Sequence, residues 1–152
     1  MAGQTYTVSI QGGPELAARL RKFGTSILDL TRSMDKTGRY LTGFYSGEVF
    51  ASRGSVIGHP WPRLNDAYAA RKAQQFPGRP PLIRTGVMNR SFKHNAGRLS
   101  VEVLNEAWYF RFHQNGEGVP QRLMMTLDQK RAVQVATFIG EDISQKMEAA
   151  HV

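Results

Sequence analysis

The chain contains no cysteine. That excludes disulfides and thiolate metal sites, and it fits a protein made in a reducing cytoplasm. Nowhere do apolar residues run to the ~20 that a membrane helix needs, so no membrane partner is expected. The opening MAGQTYTVSI lacks a charged segment followed by an apolar core, and is not read as a secretory signal. Acidic residues are scarce in the middle of the chain. Residues 53–100 hold Asp66 alone against nine Lys/Arg, while 1–52 hold four acids against six bases and 101–152 seven against five. The middle third therefore carries an excess equal to the whole net charge of +8. Such a concentration suits phosphates or an acidic protein surface, and as readily a solubilising face.

Catalytic signatures are equally sparse. Gly116-Glu117-Gly118 opens like a dinucleotide loop, but Gln121 stands where its third glycine belongs. GFYSG at 43–47 misses the nucleophile-elbow spacing by one residue and lies in a helical stripe. The histidines at 59, 94, 113 and 151 never pair at the i, i+4 spacing of a helical metal site. Adjacent Glu141 and Asp142 point to different faces of a helix. Nothing supplies a nucleophile together with its base, so no enzyme, cofactor or metal is expected. His113 reads as a structural histidine, bonding across the loop that Gly116 and Gly118 close.

What is present organises a single α+β domain over 1–152. Tyr6, Val8 and Ile10 alternate with polar residues, which predicts a short strand over 4–11. Leu16, Leu20, Phe23, Ile27, Leu30 and Met34 then follow at intervals of four and three, and the phase continues through Leu41, Phe44, Tyr45 and Val49. Positions 14–51 thus form either one long helix or two stacked segments, with Gly38 and Gly43 as kinks. Asn65 caps a helix to about Gln74, and TGVMNRSF holds one helical turn. Asn95-Ala96-Gly97 turns a hairpin whose second strand carries Leu99, Val101 and Val103 on one face. RLMMTL reads as a further strand. Thr126 or Asp128 opens a last helix to about Ala149, with a stripe of Ala132, Val135, Ala136, Ile139, Ile143 and Met147. The expected architecture is long N-terminal helical segments and a C-terminal helix packed on a small, mainly antiparallel sheet.

Four motifs in order carry a resemblance. Trp61 and Pro62 precede a helix with Leu64, Tyr68 and Lys72; Leu82, Ile83, Thr85, Gly86, Met88, Ser91 and Phe92 follow. Tyr109, His113, Gln114 and Gly116 form the third, and Pro120, Arg122, Leu123 and Met124 the last. Over about 60–127 the chain resembles the virion-morphogenesis or tail-completion proteins of tailed phages, including that of Mu. It departs from their pattern at Phe110, at Asn115 and in the SVIGHP that precedes Trp61. The resemblance implies a structural protein of the virion, made in the host cytoplasm, that assembles as a homo-oligomeric ring at the neck or tail top. There it completes the tail or joins it to the head, beside other neck, connector or tail-tube proteins and in reach of genomic DNA.

Residues 53–64 and 75–84 read as docking loops, with Trp61 as anchor and Arg63, Arg79, Arg84 and Arg90 as charged partners of a neighbouring subunit. Trp61 reads equally well as a cover over the domain's own core. The alternative for the whole basic segment, 53–100, is a nucleic-acid-binding module with Trp61, Tyr68 or Phe76 as stacking surfaces.

Overall fold

A computed structural model describes Gly24 and residues 28–149. The strand expected over 4–11 and most of the first helical stripe, including Leu16, Leu20, Phe23 and Ile27, lie outside the described residues. Within them run helix α1 (Thr31–Phe44), a π-helical turn (Tyr45–Val49), a 3-10 turn (Ser55–Ile57), α2 (Asp66–Gln75) and the single turn α3 (Val87–Arg90). Strands β1 (Phe92–Ala96) and β2 (Val101–Asn105) follow, then α4 (Phe110–Asn115) and α5 (Gln129–Ala149). The strands form a two-stranded antiparallel sheet on which the C-terminal helix packs, so the α+β class holds. The described residues group into two compact units, each built from separated segments of chain.

The first unit comprises Gly43–Phe92 and Asn105–Thr126. Its core is aromatic. Trp61 meets Phe50 edge to face at 5.3 Å, Phe50 meets Phe92 at 6.3 Å, and Phe92 meets Phe110 at 5.7 Å; such geometry aligns ring edges with ring faces. Tyr45 packs on Phe92 at 5.9 Å and donates its hydroxyl to the Thr126 carbonyl at 2.9 Å. Phe44, Tyr45, Val49 and Phe50 are all buried, a spacing of five that an α-helix cannot hold on one face. The π-helical turn, with bonds reaching one residue further, does so.

Trp61 retains only 8 % of its exposure, and its indole N–H donates to the Leu123 carbonyl at 2.7 Å. Gly54 lies against the ring. Its φ is +80°, and an added Cβ would fall 2.6 Å from the indole nitrogen, so only glycine fits. Between the two readings of Trp61, an exposed docking anchor and a piece of the protein's own core, the structure has the second.

RLMMTL is not a strand. The Gln114 side chain takes the place of a neighbouring strand: its oxygen accepts from the backbone N–H groups of Met124 and Met125 at 2.9 and 3.1 Å, and its nitrogen donates to the Met125 carbonyl at 2.7 Å. One buried amide thus satisfies three backbone groups that a ladder would otherwise pair.

The second unit contains the described residues up to Thr42, Lys93–Leu104 and the chain from Leu127. Leu30, Met34, Leu41, Val101, Val103, Val135 and Ile139 are buried in it. Gly38 leaves room for the His94 ring, since a Cβ there would lie 2.2 Å from the imidazole Cδ2. Its role is this contact rather than a kink. His94 in turn bonds Asp35 at 2.9 Å, and Asp35 also holds Arg39. The hairpin turn closes by Gly97 N–H to the Ser100 carbonyl at 2.8 Å, two residues beyond the expected turn. On α5 the buried face is Arg131, Val135, Ile139 and Asp142. Ala136, expected inside, is exposed. Two charged residues displaced the apolar stripe, Arg131 pairing with Asp128 at 3.1 Å and Asp142 facing Lys146 at 3.7 Å.

Candidate functional site

The first unit encloses a cavity of about 810 Å³, within the range of small-ligand sites. One wall is α2. Asn65 caps it, its side-chain oxygen accepting from the N–H groups of Ala67 and Tyr68 at 3.0 and 3.3 Å. Tyr68 and Lys72, four apart, then face the cavity together. Lys72 keeps 4 % of its exposure and its ammonium donates to the Pro80 carbonyl. The chain from Pro80 to Gly86 forms the next wall. There Leu82 is held at φ 63°, a left-handed backbone that leucine rarely takes. Thr85, Gly86, Val87 and Met88 complete that side. Arg90 reaches back to the Thr85 carbonyl at 3.0 Å, and Asn105 holds the Met88 carbonyl at 2.8 Å.

The opposite wall comes from α4 and the chain after it. Gly116 ends α4 at φ 75°. The returning segment is tied down by Arg122 N–H to the His113 carbonyl at 2.8 Å and by the Gln121 amide to the Gln114 carbonyl at 3.0 Å. Tyr109, His113, Pro120 and Arg122 line the space. Arg122, 5 % exposed, donates from Nε and Nη2 to the Pro62 carbonyl at 3.2 and 3.1 Å and from Nη2 to the Arg63 carbonyl at 3.2 Å. At the rim Trp108 stands 67 % exposed, edge-on to Tyr109 at 5.7 Å and to Phe112 at 5.8 Å.

The cavity is electrostatically one-sided. Arg63, Lys72, Arg84 and Arg122 line it, and among the described residues no aspartate or glutamate does. Burial pushes the Lys72 ammonium below the usual lysine range, and the nearby guanidinium groups of Arg122 and Arg84 push it further. Burial likewise lowers Arg122, though a guanidinium remains charged at any ordinary pH. His113 is lowered by burial and then by Arg122, so its ring is neutral at pH 7.

Most of the residues singled out in the sequence converge here. Arg63, Arg84, Thr85, Gly86, Tyr109, His113, Pro120 and Arg122 line the cavity, with Gln114 and Gly116 behind it shaping the wall. Arg79 and Arg90 are exposed and do not line it. The expected side-chain bond of His113 across the glycine loop is not formed: its Nδ1 is buried without a hydrogen-bond partner. Backbone groups close that loop instead, Glu117 N–H bonding the Phe112 carbonyl at 2.9 Å. Sequence reasoning missed the burial of Lys72 and the rim position of Trp108. Lysine four residues after a tyrosine on a capped helix was the visible signal for the first; the second had none. Among the described residues, no group of histidines and carboxylates could hold a metal ion, and no helix is long and apolar enough to cross a membrane. Comparison with protein-family models, with curated proteins and with solved structures finds no match to this chain.

Proposed function

We propose that this chain is a structural protein of a tailed-phage virion, forming a homomeric ring at the neck or tail top that completes the tail or joins it to the head. Its role in this reading is assembly rather than catalysis. The observation that carries the reading is the convergence of the four resemblance motifs. Trp61 bonds Leu123, Arg122 bonds Pro62 and Arg63, Gln114 bonds Met124 and Met125, and Lys72 bonds Pro80. These bonds tie residues of the first, third and last motifs into one scaffold, and Leu82, Thr85, Gly86 and Met88 of the second line the cavity beside it. The test is native mass measurement of the purified protein, alone and mixed with virion neck components. A closed homomeric ring, or a stoichiometric complex with a neck component, is the expected result. A monomer under both conditions overturns it.

One observation favours a second reading, nucleic-acid binding. Arg53, Arg63, Arg71, Arg79, Arg84 and Arg90 are all exposed, and none is ion-paired among the described residues. Titration with duplex and single-stranded DNA at several salt concentrations separates the readings, because phosphate contacts make affinity fall steeply with salt. A steep slope in a monomeric protein favours this second reading over the first.

A further inference from the structure

Among the described residues, the buried cations of the cavity have no counter-charge. Lys72 and Arg122 have nearly all their surface removed from water, and among the described residues their side chains bond backbone carbonyls only. Carbonyl dipoles satisfy some donors without neutralising either charge. The Nη1 group of Arg122 takes part in none of these bonds, and a lysine ammonium has two donors left after bonding Pro80. Two like charges this close, each with its side chain largely removed from water, disfavour one another and gain from an anion. Beside Asn65, Thr85 and His113, much of the lining is apolar or aromatic: Leu82, Met88 and Val119, with Val87, Tyr68 and Trp108 exposed.

From this we infer that the cavity is a binding site for a carboxylate carried on an apolar or aromatic body, whether a free small acid or an acidic side chain among apolar residues of a polypeptide. Lys72 and Arg122 take the carboxylate, Arg84 adds charge at its edge, and the aromatic side chains cover the body. The apolar walls decide against a nucleic-acid backbone, whose sugars and successive phosphates they would leave unpaired. A single carboxylate matches the donors free on Arg122 and Lys72, and arginine pairs with it in fixed geometry. The inference does not depend on the virion reading, since it follows from the cavity's charge and lining alone.

The experiment uses two probes and the intact chain. The first is 3-phenylpropionate, compared with 3-phenylpropanol and inorganic phosphate, read by the shift in thermal midpoint, since a ligand of the folded state stabilises it. The second is a library of N-acetylated, C-amidated heptapeptides with a central Asp or Glu among apolar residues, compared with the same library carrying Asn or Gln. Expected are a raised midpoint with the acid but not the alcohol and, where the source is a polypeptide, binding at least about tenfold tighter for the acidic library. Lys72→Met should weaken both by about tenfold or more. Because Lys72 also holds the Pro80 loop, the exposed variants Arg84→Gln and Trp108→Ala provide the second reading. Each should weaken binding while leaving the ligand-free midpoint in place. If phenylpropionate binds and the acidic peptides do not, the source is a small acid; if the acidic peptides bind, it is an acidic segment of a polypeptide. If phosphate stabilises as well as phenylpropionate, or if the alcohol equals the acid, the carboxylate chemistry is wrong. Absence of binding by both probes overturns the site.

Discussion

Gln114 shows how much one side chain can organise. It lies buried on α4 and supplies both halves of a strand-like pairing to Met124 and Met125. Gln114→Leu leaves two N–H groups and a carbonyl buried and unpaired, and should cost about 3 kcal/mol or more in chemical denaturation. Gln114→Glu keeps the acceptor but loses the donor and buries a charge, so it should not rescue. His113 sits beside it with a different consequence. Its pKa is lowered in the fold by burial and Arg122, so between that value and the ordinary ~6.5 the unfolded chain binds a proton that the folded one refuses. Stability is therefore fully present above about pH 6.5 and declines as pH falls through the folded pKa. Denaturation midpoints measured from pH 8 to pH 5 should fall, and His113→Gln should flatten that part of the curve. An unchanged slope in the variant would assign the decline to other groups.

At the scale of elements, the helices are set by their ends and by what they must avoid. α2 starts where Asn65 can accept two backbone N–H groups; Asn65→Ala should lower stability by about 1 kcal/mol and loosen the Lys72 wall of the cavity. α1 carries glycine in its interior, where alanine is normally favoured by about 1 kcal/mol. Here the preference is reversed by tertiary contact, because the Cβ of Gly38→Ala would enter the His94 ring. That substitution should destabilise by about 1–3 kcal/mol, as overpacking does. Gly43→Ala, with open space around its Cβ, should be neutral or stabilising. The pair separates packing from propensity in one denaturation experiment. The segment after α4 shows the reverse case, a run with strand-like composition that forms no strand because a glutamine satisfies its backbone.

Across the whole molecule, neither compact unit is a continuous stretch of chain. Unfolding one would leave the segments of the other joined by long unstructured loops, whose closure entropy it must then bear. The two should therefore melt together. Tryptophan fluorescence reports the first unit through Trp61 and Trp108, and helical circular dichroism is weighted to the second through α5. Coincident transitions are expected; separated midpoints would show that the units are independent.

What local chemistry controls was readable along the chain. The Asn65 cap, the turn at Val87–Arg90, the hairpin, the helix to Ala149 and the α+β class were legible in spacing and capping alone, because each depends on residues within a few positions of one another. The motif residues around the cavity were also legible, as an ordered series. Only the tertiary structure decided which role each of them plays. Trp61 joined the core because Leu123, sixty-two positions away, offers its carbonyl to the indole. RLMMTL remained outside any sheet because Gln114 reached it first. The inward face of α5 includes Arg131 and Asp142 because partners one turn away, Asp128 and Lys146, offset their charge, which no apolar pattern encodes. Lys72 and Arg122 were two bases among twenty in the sequence. Their burial in one space, without a carboxylate among the described residues, is a property of long-range packing that no local pattern displays.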